Sequence, residues 1–97
     1  MVVRMTMTTV PVWLEVDGER VAEALQQAGE HLGLGEGGVF LDFSAVRRID
    51  PRSLAALGKL AGMADAKAVK VSLRGVKVDI YRVLKLSRLT SRFTFVA

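Results

Sequence analysis

Cysteine is absent from this 97-residue chain. Its absence excludes a disulfide scaffold, a thiol nucleophile and thiolate metal sites, and it fits a reducing compartment, expected to be the cytoplasm. Histidine occurs once, at His31, so there is no second imidazole to complete a metal pair or a catalytic triad. Aromatic residues make up only 6% of the chain, too few to interleave its basic residues with base-stacking groups. No stretch approaches the roughly 18 consecutive apolar residues that a membrane span requires. The opening MVVRMTMTTV is too polar for the core of a signal peptide, and Met1, Met5 and Met7 each offer a start. No repeat, low-complexity tract or linker interrupts the sequence.

Apolar residues make up 51% of the chain, and 97 residues form one domain, 1–97. A domain of that size buries about 65% of the surface its unfolded chain exposes, without staples. Short apolar runs alternate with longer segments of helical period, an order that predicts an α/β fold. Val12, Leu14 and Val16 alternate with Trp13 and Glu15 as an early strand, with residues 3–8 as a candidate partner. Val21, Leu25, Ala28 and Leu32 recur on one face of a first helix that is expected to begin at Asp17-Gly18. The chain closes with Phe93 and Phe95 as a short strand or packed tail.

Residues 39–54, VFLDFSAVRRIDPRSL, are the most informative stretch. Val39, Phe40, Leu41 and Phe43 form a run too short for a helix and too apolar for an edge, which predicts a central strand covered on both faces. Asp50 has the chemistry of a helix N-cap, because its carboxylate accepts from the free N–H groups of the first turn. Pro51 follows at the one helical position where a missing N–H costs nothing. Downstream, residues 69–73, VKVSL, alternate as a strand, and residues 75–89, GVKVDIYRVLKLSRL, have the period of a closing helix.

In order and spacing these segments resemble a STAS domain over roughly residues 12–96. The family pattern has an Asp-Leu-Ser type strand end, an Asp-Ser/Thr-Ser/Gly-Gly-Leu helix start, a strand, and a last helix ending in Leu-x-x-x-x-Leu. Here they stand as Leu41-Asp42-Phe43-Ser44, Asp50-Pro51-Arg52-Ser53-Leu54, and Leu84 with Leu89. The resemblance implies a mixed, mostly parallel sheet of four to five strands with three to four helices packed on it. It also implies partner contacts at the second helix and the turn before it. In anti-sigma factor antagonists of this family the residue after the Asp is a Ser or Thr that a partner kinase phosphorylates. Pro51 stands there instead, has no hydroxyl, and so cannot take the phosphate. Ser53 is a weak alternative acceptor, set against a plain serine at a helix start.

On the second helix, Leu54, Leu57, Ala61 and Ala64 are assigned to the core, which leaves Arg52, Ala56, Lys59, Leu60 and Met63 on the opposite face. That face is too apolar for simple solvation. Leu60 and Met63 are either scattered surface hydrophobes or the centre of a docking patch with Arg52 and Lys59 as its rim. Together with Arg47, Arg48, Asp50, Pro51 and Ser53 they make up the expected partner-binding set. The last helix turns Val76, Ile80, Val83 and Leu84 inward and Lys77, Tyr81, Arg82, Lys85 and Arg88 outward. The net charge is +4 and the sequence pI about 10.0, a balance that steers an acidic partner.

Two chemical signals are discounted. Residues 33–38 fit G-x-G-x-x-G letter for letter, but they follow a helix and lead into a strand, the reverse of a dinucleotide loop. Asp42 and Asp50 lie in different kinds of element with no nucleophile or base to join them, and Asp42 is expected to bond N–H groups of the turn after its strand. No enzyme, cofactor, metal or nucleic-acid binding is therefore expected. Three roles remain: an antagonist that occupies an anti-sigma factor kinase, an Mla-like STAS subunit bracing the ATPase of a lipid-transport ABC complex, and a homodimer closed over Ala56, Leu60 and Met63.

Overall fold

The computed structural model describes residues 12–32 and 38–96. In chain order the elements are β1 (Val12–Glu15), α1 (Val21–Glu30), β2 (Val39–Asp42), α2 (Pro51–Lys67), β3 (Val71–Arg74), α3 (Val78–Leu86) and β4 (Thr94–Val96). The α/β expectation holds. Among the described residues the sheet has four strands in the order β1-β2-β3-β4, and every neighbouring pair is parallel. Each crossover moves one strand in the same direction, and crossovers of the usual right hand place the three described helices on one face. The proposed strand at residues 3–8, which would have made the sheet mixed, lies outside the described residues.

The register explains the core. Val12, Val39 and Val71 stand side by side, as do Leu14, Leu41, Leu73 and Phe95, and both rows face the helices. Onto them pack Leu25 and Ala28 of α1, Leu57, Ala61 and Ala64 of α2, and Ile80 and Leu84 of α3, all buried. The intervening row, Trp13, Phe40, Ser72 and Thr94, faces away. Here the expectation for β2 needs correcting. It is central, but Phe40 is only half-buried, because the described helices cover just the opposite face. Phe40 instead stacks on Trp13, ring centroids 4.5 Å apart, and Trp13 keeps 56% of its surface exposed.

Helix ends differ from the periodic pattern where a local hydrogen bond intervenes. α1 begins at Val21 instead of Asp17-Gly18, because the Asp17 carboxylate accepts from the Glu19 N–H and holds a turn there. At its other end the His31 ring donates from Nδ1 to the Gln27 carbonyl at 2.8 Å. α2 ends at Ala68, held left-handed at φ 55°, with the Val69 N–H turned back to the Ala64 carbonyl. Val69 is thereby kept out of the strand, which starts at Val71. α3 is shorter than residues 75–89. Gly75 (φ 71°) makes a turn before it, and Arg88 (φ 61°) breaks it while Leu89 tucks under to bond Leu84.

Candidate functional site

The β2–α2 junction is built by a series of short-range bonds. The Asp42 carboxylate accepts from the Ser44 N–H at 2.9 Å, as expected of it, and Val46 bonds back to Phe43 to close a tight turn. Lys77, from the start of α3, donates to the Ser44 carbonyl and ties that turn to the next crossover. Val46 is fully buried, so the following pair, Arg47 and Arg48, is carried outward into solvent.

Asp50 then caps α2. Its Oδ1 accepts from the Ser53 N–H at 2.7 Å, and Pro51 occupies the first helical position. The carboxyl is held below the usual carboxylate range, first by that Ser53 backbone bond and next by the Ser53 hydroxyl. Asp42 is lowered in the same way by Ser44. Ser53 is 4% exposed and its backbone and hydroxyl both serve the cap, so the helix start is a closed, satisfied unit. The cap takes up the Ser53 N–H, one of the donors at which an anion would otherwise bind.

Along α2 the structure requires a correction. Leu60 is 2% exposed and belongs to the core, whereas Leu54, assigned to the core, is half-buried. The cause is a second neighbour: α2 packs on the sheet with Leu57, Ala61 and Ala64 and also leans on α1, so its buried arc turns further round and takes in Leu60. The face expected to be free is a seam between two helices. Gly29 allows the close approach, since a Cβ there would stand 3.1 Å from the Met63 Cε. A dimer closed over an exposed Leu60 is therefore not available to this surface.

Four more of the expected residues meet at that seam, whereas Arg47, Arg48, Asp50, Pro51 and Ser53 lie outside it. Arg52, Ala56, Lys59 and Met63 line an open groove of about 470 Å³ with Ala22, Gln26 and Glu30 of α1 opposite and Leu60 and Leu25 at its floor. At one end Arg52 Nη2 lies 3.4 Å from Glu23 Oε2. Asp50 and Pro51 stand at the start of α2, and Arg47 and Arg48 precede them in the loop. The α1 half of the groove was missed by sequence reasoning, which placed no residue of α1 in the expected docking surface. Its signal is the run of small residues, Ala22, Ala28 and Gly29, that lets a second helix come near. Among the described residues no group of three or more His, Asp or Glu side chains is placed to hold a metal ion.

A family model described as "Mlab, STAS domain" matches residues 5–96. The chain shares its fold with a Thermotoga maritima protein, TM1081, named as a candidate anti-sigma factor antagonist. Its solution structure aligns at a TM-score of 0.72 and 20% identity over 96% of this chain and 77% of that one. Its crystal structure aligns at 0.67 and 20% identity over 95% and 81%. A sulfate transporter family protein from Wolinella succinogenes aligns at 0.71 and 20% identity over 88% and 75%. No curated protein matches the sequence.

Proposed function

The chain belongs to the STAS domain family, and we propose that it is a non-catalytic interaction module that regulates a protein partner, most like an anti-sigma factor antagonist without a phosphorylatable residue at its helix start. The partner docks on the surface that runs from Arg47 and Arg48, over Asp50 and Pro51, into the α1–α2 groove between Arg52 and Met63; Ser53, expected in that set, is buried beneath it and serves the cap. The observation that carries this reading is the groove itself: Ala56, Lys59 and Met63 remain accessible on a rigid helix whose start is locked by its cap. Small and flexible apolar side chains with cations at the edge suit a protein interface.

Pro51 sets the mode of regulation. The lack of a hydroxyl on Pro51 and the burial of Ser53 in the cap support a helix start that takes no phosphate. The module is then constitutively competent to bind, and its activity follows its abundance. A second reading, an Mla-like STAS subunit bracing an ABC ATPase in the cytoplasm, is favoured by the description of the matching family model and uses the same surface.

Affinity capture of the tagged chain from its own cells, with Met63→Glu as the control, separates the two. Retention of a kinase-like anti-sigma factor by the wild type alone establishes the antagonist; retention of an ABC ATPase establishes the transport subunit. A partner held equally by Met63→Glu overturns the assignment of the groove.

A further inference from the structure

Away from the groove, at the other end of the helical layer, α3 presents an outer face that folding does not use. Its inner face, Ile80 and Leu84, is buried in the core. On the outside Val78, Tyr81, Arg82, Lys85 and Leu86 stand at i, i+3, i+4, i+7 and i+8, a single helical stripe. Leu86 is 86% exposed and Val78 66%, and these are the two most exposed large hydrophobics described. Tyr81 is 40% exposed and is held in place edge-on against Phe95, ring centroids 5.1 Å apart. Arg82 and Lys85 lie between the apolar residues, and exposed Arg88 follows directly after the helix. The one acid of α3, Asp79, sits in its first turn, where the helix dipole favours it.

We infer that this face is a docking surface for an anionic lipid headgroup layer. Leu86 and Val78 are exposed over most of their surface, so each can enter a headgroup region singly. Tyrosine sits well at a membrane–water boundary, and arginine and lysine extend their stems along apolar surface while their charges stay with the phosphates. Three cations and three apolar side chains give weak, reversible attachment, enough to hold the chain near a bilayer while the α1–α2 groove remains free.

Co-sedimentation of the full chain with vesicles of phosphatidylcholine containing about one third phosphatidylglycerol, against pure phosphatidylcholine, tests this. Binding is expected to the anionic vesicles alone, falling about tenfold in Arg82→Glu/Lys85→Glu and to a similar degree in Leu86→Glu. Leu86→Ser serves as a milder variant, and circular dichroism verifies that each keeps its fold. Arg20→Glu, a charge reversal on an exposed residue outside α3, is expected to bind as the wild type does. No binding to anionic vesicles, binding insensitive to Leu86→Glu, or equal loss in Arg20→Glu would each overturn the inference. The first leaves the face to an acidic protein and the last reduces it to net charge.

Discussion

Arg52 of α2 reaches Glu23 of α1 across the mouth of the groove, 3.4 Å from Nη2 to Oε2, with 74% and 52% of the two side chains exposed. An ion pair so open to water contributes about 0–1 kcal/mol to stability. Arg52→Ala is therefore expected to leave the denaturation midpoint almost unchanged while weakening partner capture, since the guanidinium is freed to face the partner when the pair opens. Loss of stability in step with loss of binding would show instead that the pair holds the helices together.

Leu60 and Met63 separate core from contact on the same helix. Leu60→Ala should cost about 2–5 kcal/mol, as truncation of a fully buried leucine does, and Leu60→Glu should fail to fold. Met63→Glu, at the half-buried rim, should fold and bind poorly. Urea titrations of the three variants distinguish these outcomes.

Gly18, in the β1–α1 loop, abuts the Ala45 carbonyl oxygen in the β2–α2 loop so closely that an added Cβ would run into backbone. Gly18→Ala should destabilise by about 1–3 kcal/mol. It should also weaken partner binding, because the loop it displaces leads to Arg47 and Arg48. A variant as stable as the wild type would mean that the two loops part at no cost.

Ala68 ends α2 in the left-handed region, where a side chain costs about 1–2 kcal/mol that glycine does not incur. Ala68→Gly gives back about half of that through the greater freedom of the unfolded chain. A rise in thermal midpoint of a few degrees is expected.

Acid should weaken the junction in a definite window. Asp50 and Asp42 are both lowered below the ordinary carboxylate range by backbone N–H bonds, from Ser53 and Ser44. Their folded values lie below the unfolded one, so the stabilisation is complete above about pH 4 and is lost as pH falls through the lower folded values. Asp50→Asn retains a capping oxygen without the charge, and its stability should fall less steeply on the acid side than that of the wild type.

The parts of the fold legible in the sequence were those fixed by neighbours along the chain. The Asp50-Pro51 cap, the helical period of Val21, Leu25 and Ala28, the apolar run of β2 and the turn bond of Asp42 all follow from spacing and local chemistry, and the structure has them. What could not be read was set by neighbours across space. Leu60 looked free because one helix taken alone has a single inner face, and only the approach of α1 gives α2 a second. The left-handed turns at Ala68 and Arg88 were hidden too, since neither residue favours that region and both are held there by the chain that follows.

The central claim is that the partner seats in the α1–α2 groove. A photo-crosslinking residue placed at Ala56, inside the groove, and at Lys70, outside it, tests this most directly in the native cell. The account predicts a discrete adduct from Ala56 that Met63→Glu abolishes, and none from Lys70; an adduct from Lys70 alone would contradict it.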